Sequence, residues 1–328
     1  MGGTVDDGHD TIQTSGKVGI VGAGAVGAAT TLSAIQRGSC RQIVLIDKNA
    51  DRARGVALDM TYGAPLSPVV DVVAGDYGEL AGAHLVIVTA GVNESSGGAT
   101  DRGDSQGRLR LLDANAAAYH EIVPQIVQHA PDAVIMVVTD PPDPLADLTL
   151  ELAGHDRVFS AGTLIDSLRF RVHLARRLGV RSADVEALVV GEHGTSEVLL
   201  WSSATLGGLR VLDLLAEQGM DLEQVRGEVE NEIRYANINI IEGIGASQYG
   251  IGAVAARLTE AVLRDERAVL PVAARHPDHG VTLSLISILG ASGVVSMRAP
   301  TMSPDEEQGL HRSIEALRNA GRRCRRAG

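Results

Sequence analysis

The chain has 328 residues, 45% of them apolar and 21% charged, with a formal net charge of −12. That length and composition suit one large or two smaller globular domains with ample core. The negative balance argues against nucleic acid as a partner. No apolar run is long enough to span a bilayer, so no membrane role is expected. The two cysteines, Cys40 and Cys324, lie far apart in sequence. They make neither a disulfide framework nor a metal cluster, and they fit a reducing, cytoplasmic setting.

Residues 1–16 are polar and acidic and read as a disordered arm, without the basic start and apolar core of a signal peptide. A short apolar strand at 17–21 runs straight into Gly22-Ala23-Gly24-Ala25-Val26-Gly27. Residues 28–37 suit a helix, and a second strand at 43–46 ends in Asp47. Strand, G-x-G-x-x-G, helix, strand and acid is the arrangement that binds a dinucleotide. Gly22 allows the tight turn, Gly24 lets backbone approach a pyrophosphate, and Gly27 lets helix pack on strand. The helix N-terminus offers free N–H groups to phosphate, with Ala25 and Val26 in the turn that leads to it. Asp47 stands where a carboxylate accepts from ribose hydroxyls and repels a 2′-phosphate, which favours NAD over NADP.

Further strands are expected at 69–73, 84–89 and 133–139, alternating with helices. This is the pattern of a Rossmann-type doubly wound parallel sheet, with ligands beyond the C-terminal strand ends. Gly22, Asp47, Thr89, Ala90, Gly91 and Asp140 all fall on that edge. Residues 92–108 form a long loop rich in Gly and Ser, with Arg102 and Arg108 near its end. A loop of this length is a lid over a site or a solvated segment.

In the second half, a helix from about 162 to 178 places Asp166 and Arg169 three apart on one face. They form an ion pair or two inward-facing functional groups. The apolar run 187–190 ends in Gly191-Glu192-His193-Gly194, which would deliver one imidazole into a cleft. A long helix is expected over 222–241, another from 247 to 264, and strands at 268–272 and 281–288 in a mainly antiparallel piece. A last amphipathic helix runs from 304 to 319, with Ser303 as its cap. The arginine-rich end, 321–328, reads as a solvated basic tail. The domains expected are the arm, a dinucleotide-binding domain at 17–161, an α+β catalytic domain at 162–320, and the tail.

The segments Gly22–Gly27, Thr89-Ala90-Gly91, 162–170, Gly191-Glu192-His193-Gly194 and 264–272 occur together in one order. On them the chain resembles the L-lactate/malate dehydrogenase family, closer to its lactate-like branch, over about residues 17–319. The resemblance implies a hydride exchange between the NAD nicotinamide and C2 of a small 2-hydroxy or 2-oxo acid. His193 would be the proton donor and acceptor, Asp166 would fix its tautomer, and Arg169 would grip the substrate carboxylate. Arg108, seven residues before Asn115, would close with the lid and polarise the carbonyl. Ser247 would line the substrate pocket, and Asn115 and Thr139 would complete the cofactor contacts. The resemblance also implies a homotetramer or homodimer.

Two departures bear on the substrate. Asp140 stands where the family has an asparagine that bonds the substrate oxygen, and an ionised carboxylate cannot donate there. The loop is longer than the family's and carries Arg102 six residues before Arg108, where the malate branch has an arginine for a second carboxylate. The leading expectation is therefore an NAD-dependent L-2-hydroxy acid oxidoreductase that acts on a dicarboxylate of the malate/oxaloacetate kind. The alternatives are L-lactate or a larger specialised 2-oxo acid, or an NAD-binding protein with little turnover because of Asp140.

Overall fold

The structure, a computed structural model, describes residues 16–92, 100 and 107–325, with backbone alone at 107–109. Arg102, the side chain of Arg108, most of the 92–108 loop and all of the N-terminal arm except Gly16 lie outside the described residues. The first half runs β1 (Lys17–Val21), α1 (Ala25–Arg37), β2 (Gln42–Ile46), α2 (Ala50–Gly63), β3 (Asp71–Ala74), β4 (Leu85–Val88), α3 (Gly107–His129), β5 (Val134–Val137), α4 (Pro142–Ala153) and β6 (Val158–Ser160). Every residue of β4 and β5 is buried. This is why these strands are continuous apolar runs: a parallel strand is covered by helices on both faces.

The second half runs α5 (Leu164–Leu178), β7 (Val185–Glu186), β8 (Val189–Val190), β9 (Val198–Leu199), β10 (Thr205–Leu206), β11 (Leu209–Arg210) and α6 (Val211–Glu217). It continues with α7 (Leu222–Arg234), α8 (Ala236–Ile244), α9 (Tyr249–Leu263), β12 (Ala268–Leu270), β13 (Ala273–His276), β14 (Val281–Ser284), β15 (Ile286–Gly290), β16 (Gly293–Arg298) and α10 (Pro304–Cys324). The main sheet has the order β14-β13-β6-β5-β4-β1-β2-β3. Its β1 to β6 portion is parallel, with β1 between β2 and β4. The hairpin β13–β14 joins it antiparallel at Ala273↔Ser160.

One face of this sheet packs on α1 and α9 through small residues. A Cβ added to Gly252 would lie 2.7 Å from the carbonyl carbon of Ala29, so the two helices are in near-backbone contact. The other face packs on α3 and α4 through Leu112, Tyr119, Val123 and Leu145. A separate core in the second half joins α5, α6 and α7 around Phe170 and Trp201, which meet edge to face at 4.8 Å. Among the described residues, no helix is long and apolar enough to cross a membrane.

Three expectations change. The helix expected over 222–241 is two helices, broken at Tyr235 (φ −101°, ψ 4°). The strands expected in a separate antiparallel piece are split, since β13 and β14 extend the main sheet while β12, β15 and β16 form their own. The basic end is not a solvated tail through Cys324. The helix α10 continues to that residue, Cys324 is buried, and the arginines beside it find acids. Arg323 pairs with Asp113 of α3 at 2.6 Å, and Arg325 pairs with Glu151 of α4 at 2.7 Å. Charged side chains that anchor a helix to its neighbours are not a solvated tail.

Candidate active site

Residues beyond the C-terminal ends of β1, β4 and β5 line one cleft, and the end of β2 stands beside its β1 turn. At its β1 end the chain turns at Gly22, whose φ of 110° is open to glycine and rarely to other residues. A Cβ there would lie 2.6 Å from the Ala90 nitrogen. The requirement at Gly27 is packing, since a Cβ would lie 1.8 Å from the Gly22 carbonyl oxygen. Gly24, the residue before α1, has nothing within 4 Å of where a Cβ would stand, and no side chain caps the helix. The first-turn N–H groups of α1 thus face an open cradle, which is how a helix start receives phosphate.

Asp47, at the end of β2, is locked beside this turn. The Ala23 N–H donates to its Oδ2 at 2.9 Å and the Asn49 N–H to its Oδ1 at 2.8 Å. Thr89 donates to the Gly22 carbonyl at 2.9 Å and Thr139 to that of Ala90 at 2.9 Å, tying the turns after β1, β4 and β5 together. An open cradle of N–H groups with a fixed carboxylate at the next strand end fits a dinucleotide with an unphosphorylated ribose. Asn115 departs from expectation. It is fully buried, and its amide is taken up by backbone: Oδ1 accepts from the Val92 N–H at 2.6 Å, and Nδ2 donates to the Asp140 carbonyl at 2.7 Å. It holds two walls of the cleft in register.

At the far end of the cleft the strand β8 delivers His193. Its Nδ1 lies 2.6 Å from Asp166 Oδ2, and Arg169 Nη1 donates to Asp166 Oδ1 at 2.8 Å. The helix α5 therefore supplies both an ion pair and inward-facing groups, because one carboxylate serves two partners on its two oxygens. Asp166 is almost wholly buried, whereas His193 and Arg169 keep part of their side chains open to the cleft. Val26, Thr89, Gly91, Thr139, Asp140 and Ser247 line the same space. The expected residues Gly22, Gly24, Gly27, Asp47, Thr89, Thr139, Asp166, Arg169, His193, Asp140 and Ser247 are thus brought to one cleft and its supporting turns.

Three neighbours were not anticipated. Asp143 is buried on α4, accepts from Ser160 at 2.6 Å, and takes the backbone N–H of His193 at 2.8 Å. Burial pushes its carboxyl up to about 6, against the pull of those donors. It fixes the His193 backbone. Asn237 of α8 and Ile251 of α9 line the cleft beside Ser247. Asp143 lies among prolines, in Asp140-Pro141-Pro142-Asp143-Pro144, and nothing local marked it as reaching His193, 50 residues on.

The lactate/malate dehydrogenase NAD binding domain model matches residues 16–160, and the lactate/malate dehydrogenase alpha/beta C-terminal domain model matches residues 163–324. The chain belongs to the lactate/malate dehydrogenase family. It is 45% identical over 303 residues to an L-lactate dehydrogenase of Deinococcus radiodurans, covering 92% of this chain and 97% of that protein. It is 42% identical over 311 residues to one of Thermus aquaticus, covering 93% and 98%. Among solved structures it is similar to the minor L-lactate dehydrogenase of Enterococcus mundtii in the ligands-bound form. That match has a TM-score of 0.86 and 34% identity, and covers 94% of this chain and 98% of that one. The family member described here is an NAD-dependent 2-hydroxy acid dehydrogenase with a Rossmann domain and an α/β C-terminal domain.

Proposed function

We propose that this enzyme interconverts L-lactate and pyruvate. The observation that carries the proposal is the Arg169–Asp166–His193 arrangement facing a cleft whose other end is built for NAD. NAD bound there supplies the hydride acceptor or donor. The protein supplies the rest. Arg169 holds the substrate carboxylate with its guanidinium, which fixes C2 in the cleft. The His193 ring gives a proton to the C2 oxygen in reduction and takes it back in oxidation. Asp166, through Nδ1, keeps Nε2 as the ring atom that faces substrate and steadies the imidazolium. Arg108, at the start of α3, is the proposed closing residue that polarises the carbonyl.

The names of the relatives and the extent of the match support lactate as the substrate. Arg102 favours a second reading, in which a dicarboxylate such as oxaloacetate is the better substrate. Asp140 in the cleft wall bears on both, since its carboxylate stands among groups that must receive an anion. The test is NADH oxidation at one pH with pyruvate, oxaloacetate and bulkier 2-oxo acids. A higher kcat/KM with pyruvate than with oxaloacetate is expected; the reverse order would move the assignment to the dicarboxylate.

A domain division at 161/162, a cytoplasmic location and a homo-oligomer, dimer or tetramer, complete the proposal. Both cysteines are free and buried, which suits a reducing compartment. Leu168 of α5 and Ile240 and Ile244 of α8 are exposed apolar side chains that pairing with a second copy would cover.

A further inference from the structure

His193 and Glu197 stand on one hairpin. The strand β8 leads into His193, Glu197 precedes β9, and the two strands pair at Val190↔Val198. The Glu197 N–H donates to the Gly194 carbonyl at 3.2 Å, which closes the loop between them. The Glu197 side chain is buried (9% exposed), and its Oε1 has no hydrogen-bond partner among the described residues. The charges that act on it are Asp166 foremost, then His193, Arg169 and, from α7, Arg234. Behind it lies a cavity edged by Arg226 and Glu230 of α7 and Glu306 and Arg312 of α10.

Two carboxyls therefore act on each other beside His193, and their surroundings differ. Asp166 accepts charge-assisted hydrogen bonds from Arg169 and His193, which favour its ionised form. Glu197 has a buried oxygen without a donor and a carboxylate for a neighbour, both of which favour its neutral form. Burial first, then Asp166, push the Glu197 carboxyl up to about 8, with His193, Arg169 and Arg234 pulling the other way. The pair divides one charge, and Asp166 keeps it.

We propose that Glu197 is a positioning residue for the proton-transfer pair: a buried neutral acid that leaves Asp166 as the carboxylate on the His193 ring, and whose ionisation in alkali tightens the hold of His193 on its proton. This rests on the reading of His193 as the proton donor. The proton that Glu197 gives up leaves to water through the cavity behind it. Below that ionisation His193 answers to Asp166 on its ring and to Asp143, ionised above about 6, at its backbone N–H. Above it a second negative charge favours the imidazolium, so reduction, which needs that proton, persists further into alkali.

Glu197→Gln fixes the neutral form. The alkaline fall of kcat/KM for 2-oxo acid reduction is expected at a pH lower by roughly one unit than in the wild type, with the acid limb of oxidation displaced the same way. Superimposable profiles would overturn the proposal. Infrared spectroscopy of wild-type protein labelled with 13C-glutamate supplies a readout that needs neither turnover nor a folded variant. A protonated glutamate band is expected at pH 7, and it is expected to disappear as pH rises through about 8. Its absence at pH 7 overturns the proposal even if His193 proves essential. If turnover survives loss of His193, the proton-donor reading itself falls and takes the positioning role with it, whatever the band shows.

Discussion

Replacement of His193 by asparagine is expected to lower kcat by about 10³-fold, within the usual range for loss of a positioned acid–base group. Asparagine still donates a hydrogen bond to Asp166, so the hairpin and α5 keep a link. It carries no transferable proton near neutral pH and no positive charge to steady oxygen at C2. The cofactor end of the cleft is built from Gly22, Gly24, Asp47 and the start of α1, on elements other than the hairpin that carries His193. NADH affinity is therefore expected to stay within a few-fold of wild type by fluorescence titration. A variant that keeps kcat within tenfold of the parent would remove His193 from the reaction.

Arg169→Lys is expected to act on substrate binding and not on the proton. Lysine keeps the charge but loses the planar fork that can hold Asp166 with one nitrogen and a substrate carboxylate with others. Charge-assisted hydrogen bonds contribute about 1.5–3 kcal/mol each, so loss of the paired geometry predicts a fall in kcat/KM of about 10²- to 10³-fold. Most of that fall is expected in KM, because the carboxylate is held in ground state and transition state alike. The variant also withdraws one donor from Asp166, so a smaller loss in kcat accompanies it. Steady-state kinetics with pyruvate checks this, and an unchanged KM would mean that the carboxylate is gripped elsewhere.

The sequence disclosed those parts of the site whose chemistry is local. The turn from Gly22 to Gly27 and Asp47 are readable because phosphate cradling demands glycine within a strand–turn–helix context, and the ribose demands an acid at the next strand end. His193 was readable as an imidazole at a strand end flanked by glycines. What depended on distant pairing was not. Asp143 meets His193 across 50 residues. The hairpin β13–β14 adds to β6 through contacts more than 100 residues apart. Neither leaves a trace in hydrophobic period.

The other differences have equally physical causes. The break at Tyr235 carries no proline or glycine to announce it. Four arginines in the last eight residues suggested solvent, yet Asp113 and Glu151 wait on the faces that α10 crosses. Asn115 has the residue type expected of a ligand contact, and it is fully buried with three side-chain hydrogen bonds to backbone. Residue type suggested a role there, and burial assigned another.

The central claim is that this cleft passes hydride directly between the cofactor and C2 of a 2-hydroxy acid. The most direct test incubates the enzyme with pyruvate and NADH carrying deuterium at C4 of the nicotinamide, then locates the label by NMR. The account predicts deuterium at C2 of L-lactate from one of the two C4-labelled forms and none from the other. Lactate formed without label from either form, or no 2-hydroxy acid from any 2-oxo acid offered, would contradict it.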